Sequence, residues 1–354
     1  MLKKKWCGLS IFIFALLCGC AATPPKQVRL IWPPPPEDPR VTFVKSFRGE
    51  GDFQKKSFWD SVFGAPSKQG LQKPYGVFAS REKVYVALST GSAVAVIDGK
   101  ERKVTYIGER GGGRLSQPIG VAVASDGTVF VSDSSLNKVF GYDAQGTLKV
   151  AIGKKGKLKR PTGIAVNNAL NRLYVVDTQG HTVYVYTLRG EPLFQFGRKG
   201  EENGEFAFPT NVAIDKRNGK VYVTDTSNFR VQVFDQDGKF LMKVGGVGDT
   251  PGAFTRPKGL GIDSEGNVYV ADAAFNNVQM FDENGRLLLY FGGIGKSPGF
   301  FLMPAGLSVD EKDRVYVADS LNGRVQVFQY FSEKWKKENP EEYKKYFLGD
   351  TFGK

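Results

Sequence analysis

The sequence predicts an all-β fold: a six-bladed β-propeller closed by an N-terminal strand, with short helical appendages. Three observations carry that expectation. A Pro opening a short apolar run recurs six times, and further runs of period two follow each copy. The last copy stops one run short, while an unclaimed run precedes the first.

The copies are "KPYGVFA" (Pro74), "QPIGVAV" (Pro118), "RPTGIAV" (Pro161), "FPTNVAI" (Pro209), "RPKGLGI" (Pro257) and "MPAGLSV" (Pro304), at intervals of 44, 43, 48, 48 and 47 residues. A second run follows ("VYVAL", "VFVSD", "LYVVD", "VYVTD", then "VYVAD" twice), and a third ("AVAVID", "KVFGYD", "TVYVYT", "RVQVFD", "NVQMFD", "RVQVFQ"). A fourth ends in Gly ("VTYIG", "LKVAIG", "LFQFG", "LMKVG", "LLYFG"). Val, Ile, Tyr and Phe in alternating runs, punctuated by Asp-Gly and Asn-Gly, are the chemistry of antiparallel hairpins. Four such strands per period of this length make a propeller blade, and the 43 glycines suit a fold with many tight turns. Copy six lacks its fourth strand, and "PRVTFVKSFRG" (Pro39–Gly49) has the pattern to supply it. Closing the ring this way removes two exposed edges. The propeller is therefore expected over residues 39–331, as a monomer.

The segments outside the ring read differently. "MLKKKW" is a basic n-region and "LSIFIFALL" an apolar run too short to span a bilayer, so residues 1–19 read as a secretory signal. "LCGC" (Leu17–Cys20) resembles the bacterial lipoprotein box, which implies acylation of Cys20 and anchoring by several acyl chains. Ala21 is not the Asp that retains many such lipoproteins at the inner membrane, so the expected location is the cell envelope at the outer membrane. Cys7 and Cys18 leave with the signal, and the mature chain has neither a free thiol nor a disulfide. Loss of Lys3, Lys4 and Lys5 takes the 49 basic residues to 46 against 36 acids, so the mature chain stays strongly basic and attracts anionic partners. Residues 20–38, with Pro33–Pro36, read as a polyproline spacer between membrane and propeller. "KKSFWDSVFGAP" (Lys55–Pro66) has the pattern of a short amphipathic helix. Residues 332–354 read as helix, break, helix, with Asn339 as N-cap, Pro340 at the first helical position and Trp335, Tyr343, Tyr346 and Phe347 packing on the propeller.

The Pro-x-Gly run followed by "VYVTDTSNFRVQVFD" (Val221–Asp235) and a Gly-rich connection resembles the NHL-repeat family of six-bladed propellers, over about Pro74–Tyr330. Copies two, four, five and six match well; copy three departs mildly, and copy one most, with Leu88 where the others have Asp. The start "IWPPPPEDPRVTFVKSF" is similar to that of bacterial NHL-type lipoproteins. The resemblance implies the fold firmly and an activity weakly, since such propellers host both binding and catalysis. Related propeller enzymes, lactonase-like hydrolases and an NHL-type lyase among them, use acidic and amide side chains on calcium or several His on zinc. This chain has one histidine, His181, which rules out a multi-His zinc site and reads as a loop-packing or surface residue. It has no G-x-S-x-G elbow and no free Cys in the mature chain. No catalytic residue is assigned. The sequence names no cofactor or metal ligand, although calcium on scattered Asp, Glu and Asn stays open.

Asp133, Asp177, Asp225, Asp272 and Asp319 end five second strands. Their recurrence in every typical blade favours capping of local turns over a unique metal site. The fourth-to-first-strand connections and the second-to-third-strand hairpins share one rim of a propeller. Onto that rim the sequence places Arg110, Arg114, Lys138, Lys154, Lys155, Lys157, Lys159, Arg160, Arg198, Lys199, Arg230, Arg256 and Lys258, a one-signed patch suited to an anionic partner. Phe206, Phe208, Phe229, Phe254, Phe275, Phe300 and Phe301 fall in the same loops and are expected mostly to pack between blades. NHL domains of animal proteins can bind RNA on such a face, but an exported chain meets little nucleic acid. The expected function is a membrane-anchored scaffold holding an envelope protein or an anionic glycan. The alternative, a calcium-dependent hydrolase or lyase at the channel mouth, requires acid or amide side chains from three or more blades to converge.

Overall fold

The computed structural model describes residues 29–53, 70–153 and 157–346. Two strands, β1 (Ile31–Trp32) and β2 (Val41–Phe47), precede the repeats. Blade one is β3 to β6 (Pro74–Ser80, Lys83–Leu88, Ala93–Asp98, Lys103–Ile107) and blade two β7 to β10 (Pro118–Val123, Val129–Asp133, Lys138–Tyr142, Leu148–Ile152). Blade three is β11 to β14 (Pro161–Asn167, Arg172–Asp177, Thr182–Thr187, Pro192–Phe196) and blade four β15 to β18 (Pro209–Ile214, Val221–Asp225, Arg230–Phe234, Phe240–Val244). Blade five is β19 to β22 (Pro257–Ile262, Val268–Asp272, Asn277–Phe281, Leu287–Gly292). Blade six has β23 to β25 (Pro304–Val309, Arg314–Asp319, Arg324–Tyr330) and takes β2 as its fourth strand, antiparallel to β25 with Val41 opposite Tyr330 and Phe47 opposite Val325.

The N-terminal closure is thus as expected, with one addition. The dipeptide before the prolines, read as part of a spacer, is β1, which pairs with β2 as a fifth strand. The reason is Trp32, whose ring packs 5.8 Å from those of both Phe291 and Phe328. Burying an indole there offsets the cost of ordering the short segment. The expected signal, Cys20 and the Lys55–Pro66 helix lie outside the described residues, as do Lys154, Lys155 and Phe347.

The core is divided rather than central. Hydrophobic clusters lie between neighbouring blades, for example Ala87, Val94 and Val96 of blade one against Val121, Val129 and Val131 of blade two. Hydroxyls stitch the blades further in: Thr178 Oγ1 donates to the Pro209 carbonyl of the next blade at 2.7 Å, and Thr226 Oγ1 to that of Pro257 at 2.9 Å. The first strands surround the axis, and five of the six meet the next strand where a Gly stands third. A Cβ on Gly76, Gly120, Gly163, Gly259 or Gly306 would come within 3.0 Å of the next blade's backbone.

The tail forms α1 (Glu333–Glu338) and α2 (Pro340–Lys344). Ser332 caps α1, its Oγ accepting from Trp335 N at 3.2 Å and donating to Asp313 at 2.6 Å. Pro340 does open α2, but Asn339 turns its side chain back to the Trp335 carbonyl instead of capping forward. Trp335, Tyr343 and Tyr346 all pack on the buried Phe331, as expected of a docked tail. Beneath α1, Asp263 is enclosed with Asn267, Tyr269 and Asp313, and burial, with Asp313 adding to it, pushes its carboxyl up to about 6.

Two predictions follow from this architecture. Gly306→Ala drives a Cβ into the backbone of blade one and should cost about 1–3 kcal/mol in denaturant unfolding, whereas Gly112→Ala, with open space around it, should leave stability unchanged. Asp263 holds an extra proton in the folded state between the unfolded value near 4 and its own value of about 6. Its contribution should therefore favour folding more as pH falls from 7 to 5, the penalty of the buried charge being complete only above about 6. A carboxyl ¹³C titration with its midpoint near 4 would contradict this.

Candidate functional site

The rim is built from the strand-end carboxylates outward. All five are buried, and each collects donors from the connection that precedes its blade. Asp133 accepts from the N–H groups of Ser116, Gln117, Ser135 and Leu136, at 2.6 to 3.1 Å. Asp177 accepts from Lys159 and Arg160 N–H at 2.8 Å each and from Gly180 N–H at 3.1 Å. Asp272 holds the N–H groups of Thr255, Arg256, Ala274 and Phe275. A carboxylate sharing several backbone donors is satisfied without a metal.

Blades four and six use a second arrangement. Asp225 accepts from Ala207 N–H, Asn228 Nδ2, Arg230 Nε and Gln232 Nε2 at 2.7, 2.8, 2.9 and 3.0 Å. Asp319 does the same with Leu302 N–H, Asn322, Arg324 and Gln326. Burial pushes the Asp225 carboxyl up, while Asn228, the Ala207 N–H and Arg230 pull against it. The second guanidinium nitrogens reach back to the carbonyls of Glu202 and Glu205, or of Ser297 and Phe300, and tie the hairpin to the preceding connection. In copy one, Leu88 takes the Asp position and joins the core.

This geometry corrects the basic patch at two positions and pairs a third. Arg230 is not a rim ligand: it is buried against Asp225, and Arg324 likewise against Asp319. Lys258, on β19, lines the mouth of the central channel instead of the outer rim. Arg198 is exposed but engaged by Glu205 at 2.8 Å, an interaction that holds the Glu205 carboxyl below its usual range. Arg110, Arg114, Lys138, Lys157, Lys159, Arg160, Lys199 and Arg256 are exposed, and the structure gives none of them an acidic partner among the described residues. Several stand on fixed backbone, since Asp177 and Asp272 hold the N–H groups of Lys159, Arg160 and Arg256.

The aromatic residues divide as the loops dictate. Phe206, Phe254 and Phe301 are fully buried anchors of three connections; Phe229 and Phe275 are half-buried, and Phe208 and Phe300 are exposed. His181 is a loop-packing residue, its Nδ1 within 3.2 Å of the Phe206 carbonyl and its ring stacked 4.6 Å from Phe208.

A further feature of the rim escapes a reading of charges alone. Five connections carry Gly-x-x-Gly, whose third residue is Arg110, Lys155, Lys199, Val247 and Ile294 in turn. Val247 and Ile294 are 76% and 73% exposed, held outward by backbone bridges to the buried Phe254 and Phe301. With Phe300 and Leu321 they make an apolar arc beside the cationic one. The signal was in the repeat register, because the same loop position switches from cation to aliphatic partway round the ring.

The axis holds a channel with a cavity volume of about 110 Å³, walled by the six first strands. Its polar side chains are Tyr75, Thr210, Asn211, Lys216, Lys258 and Ser308. No carboxylate or imidazole is among them, and no group of three or more His, Cys, Asp or Glu among the described residues is placed to hold a metal ion. The donor set required for calcium, acid or amide side chains from three or more blades, reduces to Asn211 alone. The residues present do not fit such an ion.

Fold and rim together define a six-bladed β-propeller of the NHL-repeat type. The NHL repeat itself matches residues 301–328, and a 6-bladed beta-propeller model matches residues 217–278. The chain belongs to the SMP-30/gluconolactonase/LRE-like family, whose model matches residues 54–244. A search of curated proteins returned no significant match. Among solved structures, a protein of unknown function from Bacteroides thetaiotaomicron is similar at 19% identity and a TM-score of 0.60, covering 75% of this chain and 70% of its own. An auxiliary nutrient binding protein from the same organism is similar at 14% identity and a TM-score of 0.58, covering 75% and 71%. Virginiamycin B lyase from Staphylococcus aureus is similar at 13% identity and a TM-score of 0.54, covering 73% and 96%. At these identities the likeness is one of fold.

The buried arginines give the site its test. Arg324→Ala leaves Asp319 charged and short of its closest donor, and should cost about 3–5 kcal/mol in thermal or denaturant unfolding. Arg256→Ala, on the exposed rim, should leave the transition where it is. Equal effects would mean that the two arginines play the same role.

Proposed function

We propose that the protein is a lipid-anchored envelope protein, held at the outer membrane through Cys20, whose propeller is a non-catalytic interaction module. The single observation that carries the reading is the segregated rim. One loop position presents cations in successive connections and then aliphatics, on loops pinned by buried Asp and Phe residues. Eight exposed cations without an acidic partner among the described residues suit an acidic surface, and exposed aliphatics on rigid loops suit an apolar one. A partner carrying both is a protein; an anionic glycan would use the cationic arc and leave Val247 and Ile294 wet. The channel supports the non-catalytic part of the reading, because its walls carry no carboxylate or imidazole and the described residues hold no metal-binding group of His, Cys, Asp or Glu. Nucleic acid is not the expected partner of an exported chain.

The test is crosslinked capture from envelope membranes with three forms of the acylated protein. They are the parent, a variant with Lys154, Lys155, Lys157, Lys159 and Arg160 changed to Ser, and the double variant Val247→Ser, Ile294→Ser. Capture of one protein near stoichiometry by the parent, reduced about tenfold or more by either variant, is the expected result. Loss with the charge variant alone would turn the reading to a glycan. Retention of every captured species by both variants would end it.

A further inference from the structure

We propose that the central channel binds a small amphipathic anion, a single carboxylate carried on an unbranched apolar chain. The walls are mostly glycine and aliphatic side chains, among them Val77, Val166, Ile214, Ile262 and Val309; the Thr210 and Ser308 hydroxyls are engaged by Thr226 and by Ala79 N–H, and the charged side chains in the lining are lysines, one toward each end. Lys258 is the second residue of β19, at the rim-side mouth, and Lys216 follows the far end of β15. Six residues of extended strand separate their levels, about 20 Å at 3.3 Å per residue.

The two lysines are not equivalent. Lys216 lies 3.9 Å from Glu311, an acid that partly answers its charge. Lys258 has no acidic partner among the described residues, and its Nζ lies 5.1 Å from the centre of the Tyr75 ring across the mouth. Beside it in the ring, Asn211 occupies the place that the other first strands give to Gly. Its Oδ1 accepts from Val212 N–H at 2.9 Å, while Nδ2 has no partner among the described residues. The mouth therefore offers an ammonium and an amide donor, with no carboxylate to compete for them.

The chemistry selects the occupant. A long aliphatic wall cannot satisfy the hydroxyls of a sugar acid, and buried hydroxyls without partners are costly. The same wall gains by enclosing methylenes, and an apolar lining with few, convergent polar groups is the usual form of a small-molecule site. One unpaired lysine at the mouth answers one negative charge. The rim partner proposed above uses other residues, so either reading stands or falls alone.

A photoreactive diazirine analogue of dodecanoate, applied to the full-length protein, tests the assignment by mapping the labelled peptides. Label is expected on the first strands, displaced by dodecanoate and not by dodecanol, with affinity rising about fourfold for each added methylene along the carboxylate series. Lys258→Met should weaken labelling about tenfold or more through loss of the charge-assisted contact, and Ala213→Phe, at mid-channel, should abolish it. Thermal melts report whether each variant keeps its fold, and the Lys258→Met and alcohol arms decide the matter should Ala213→Phe unfold. The serine variants of the rim should label like the parent. Label confined to outer-rim or tail peptides, or equal labelling of Lys258→Met, would overturn the proposal.

Discussion

The close approach of the six first strands is the constraint on which the rest depends. Their backbones meet at the third residue of each strand, where Gly76, Gly120, Gly163, Gly259 and Gly306 leave no room for a Cβ. These five glycines are required by contact, since none needs a left-handed backbone. Once the inner strands stand at that spacing, the second and third strands of adjacent blades meet face to face and bury the inter-blade clusters. Blade four is the exception. Asn211 brings a side chain into the ring, and this one break in the repeat gives the channel its amide side chain.

From the ring outward, structure passes to surface through the strand-end carboxylates. Each sits where a second strand ends beside the Pro that begins the first, as in the pairing of Pro161 with Asp177. A proline contributes no N–H, so the donors come from the residues before it, and the carboxylate fixes the last turn of the connection. Blades four to six add a Gln on the third strand. Gln232, Gln279 and Gln326 each accept from a Gly N–H of the preceding connection, and their amides donate back to its carbonyls. In blades two and three the same position is Phe140 and Tyr184. The connections bearing Val247 and Ile294 are thus cross-braced by Gln279 and Gln326, and the more cationic ones ahead of blades two and three lack this Gln brace.

Blade number, strand order and closure were legible because each rests on a local pattern of period two repeated at a fixed interval. The docked tail was legible too, its aromatics being too many for a solvated helix. What escaped the sequence depends on partners distant along the chain. Arg230 and Arg324 open a hairpin strand, where a charged residue ordinarily faces water; only the shared spacing Asp-x-x-Asn-x-Arg-x-Gln, from Asp225 to Gln232 and from Asp319 to Gln326, betrays the buried pair. Ile31 and Trp32 form too short a run to announce a strand, and Trp32 is explained only by Phe291 and Phe328, far along the chain. Lys258 reads as a rim cation because it follows Arg256 in a loop-to-strand connection, but as the second residue of β19 it lines the channel mouth.

The same repeat explains why the periodic carboxylates near one face reach neither the channel nor the exposed rim cations. The acids that recur with the period are turned inward and occupied by N–H, amide and guanidinium donors, so they neither pair with the rim cations nor reach the channel. The two surfaces are set elsewhere: by the third residue of each Gly-x-x-Gly and by the second residue of the first strands. In this chain the former sort into a cationic arc and an aliphatic one, and the latter leave a single lysine at the mouth. Family membership brings the scaffold, and these positions determine what the scaffold is able to bind.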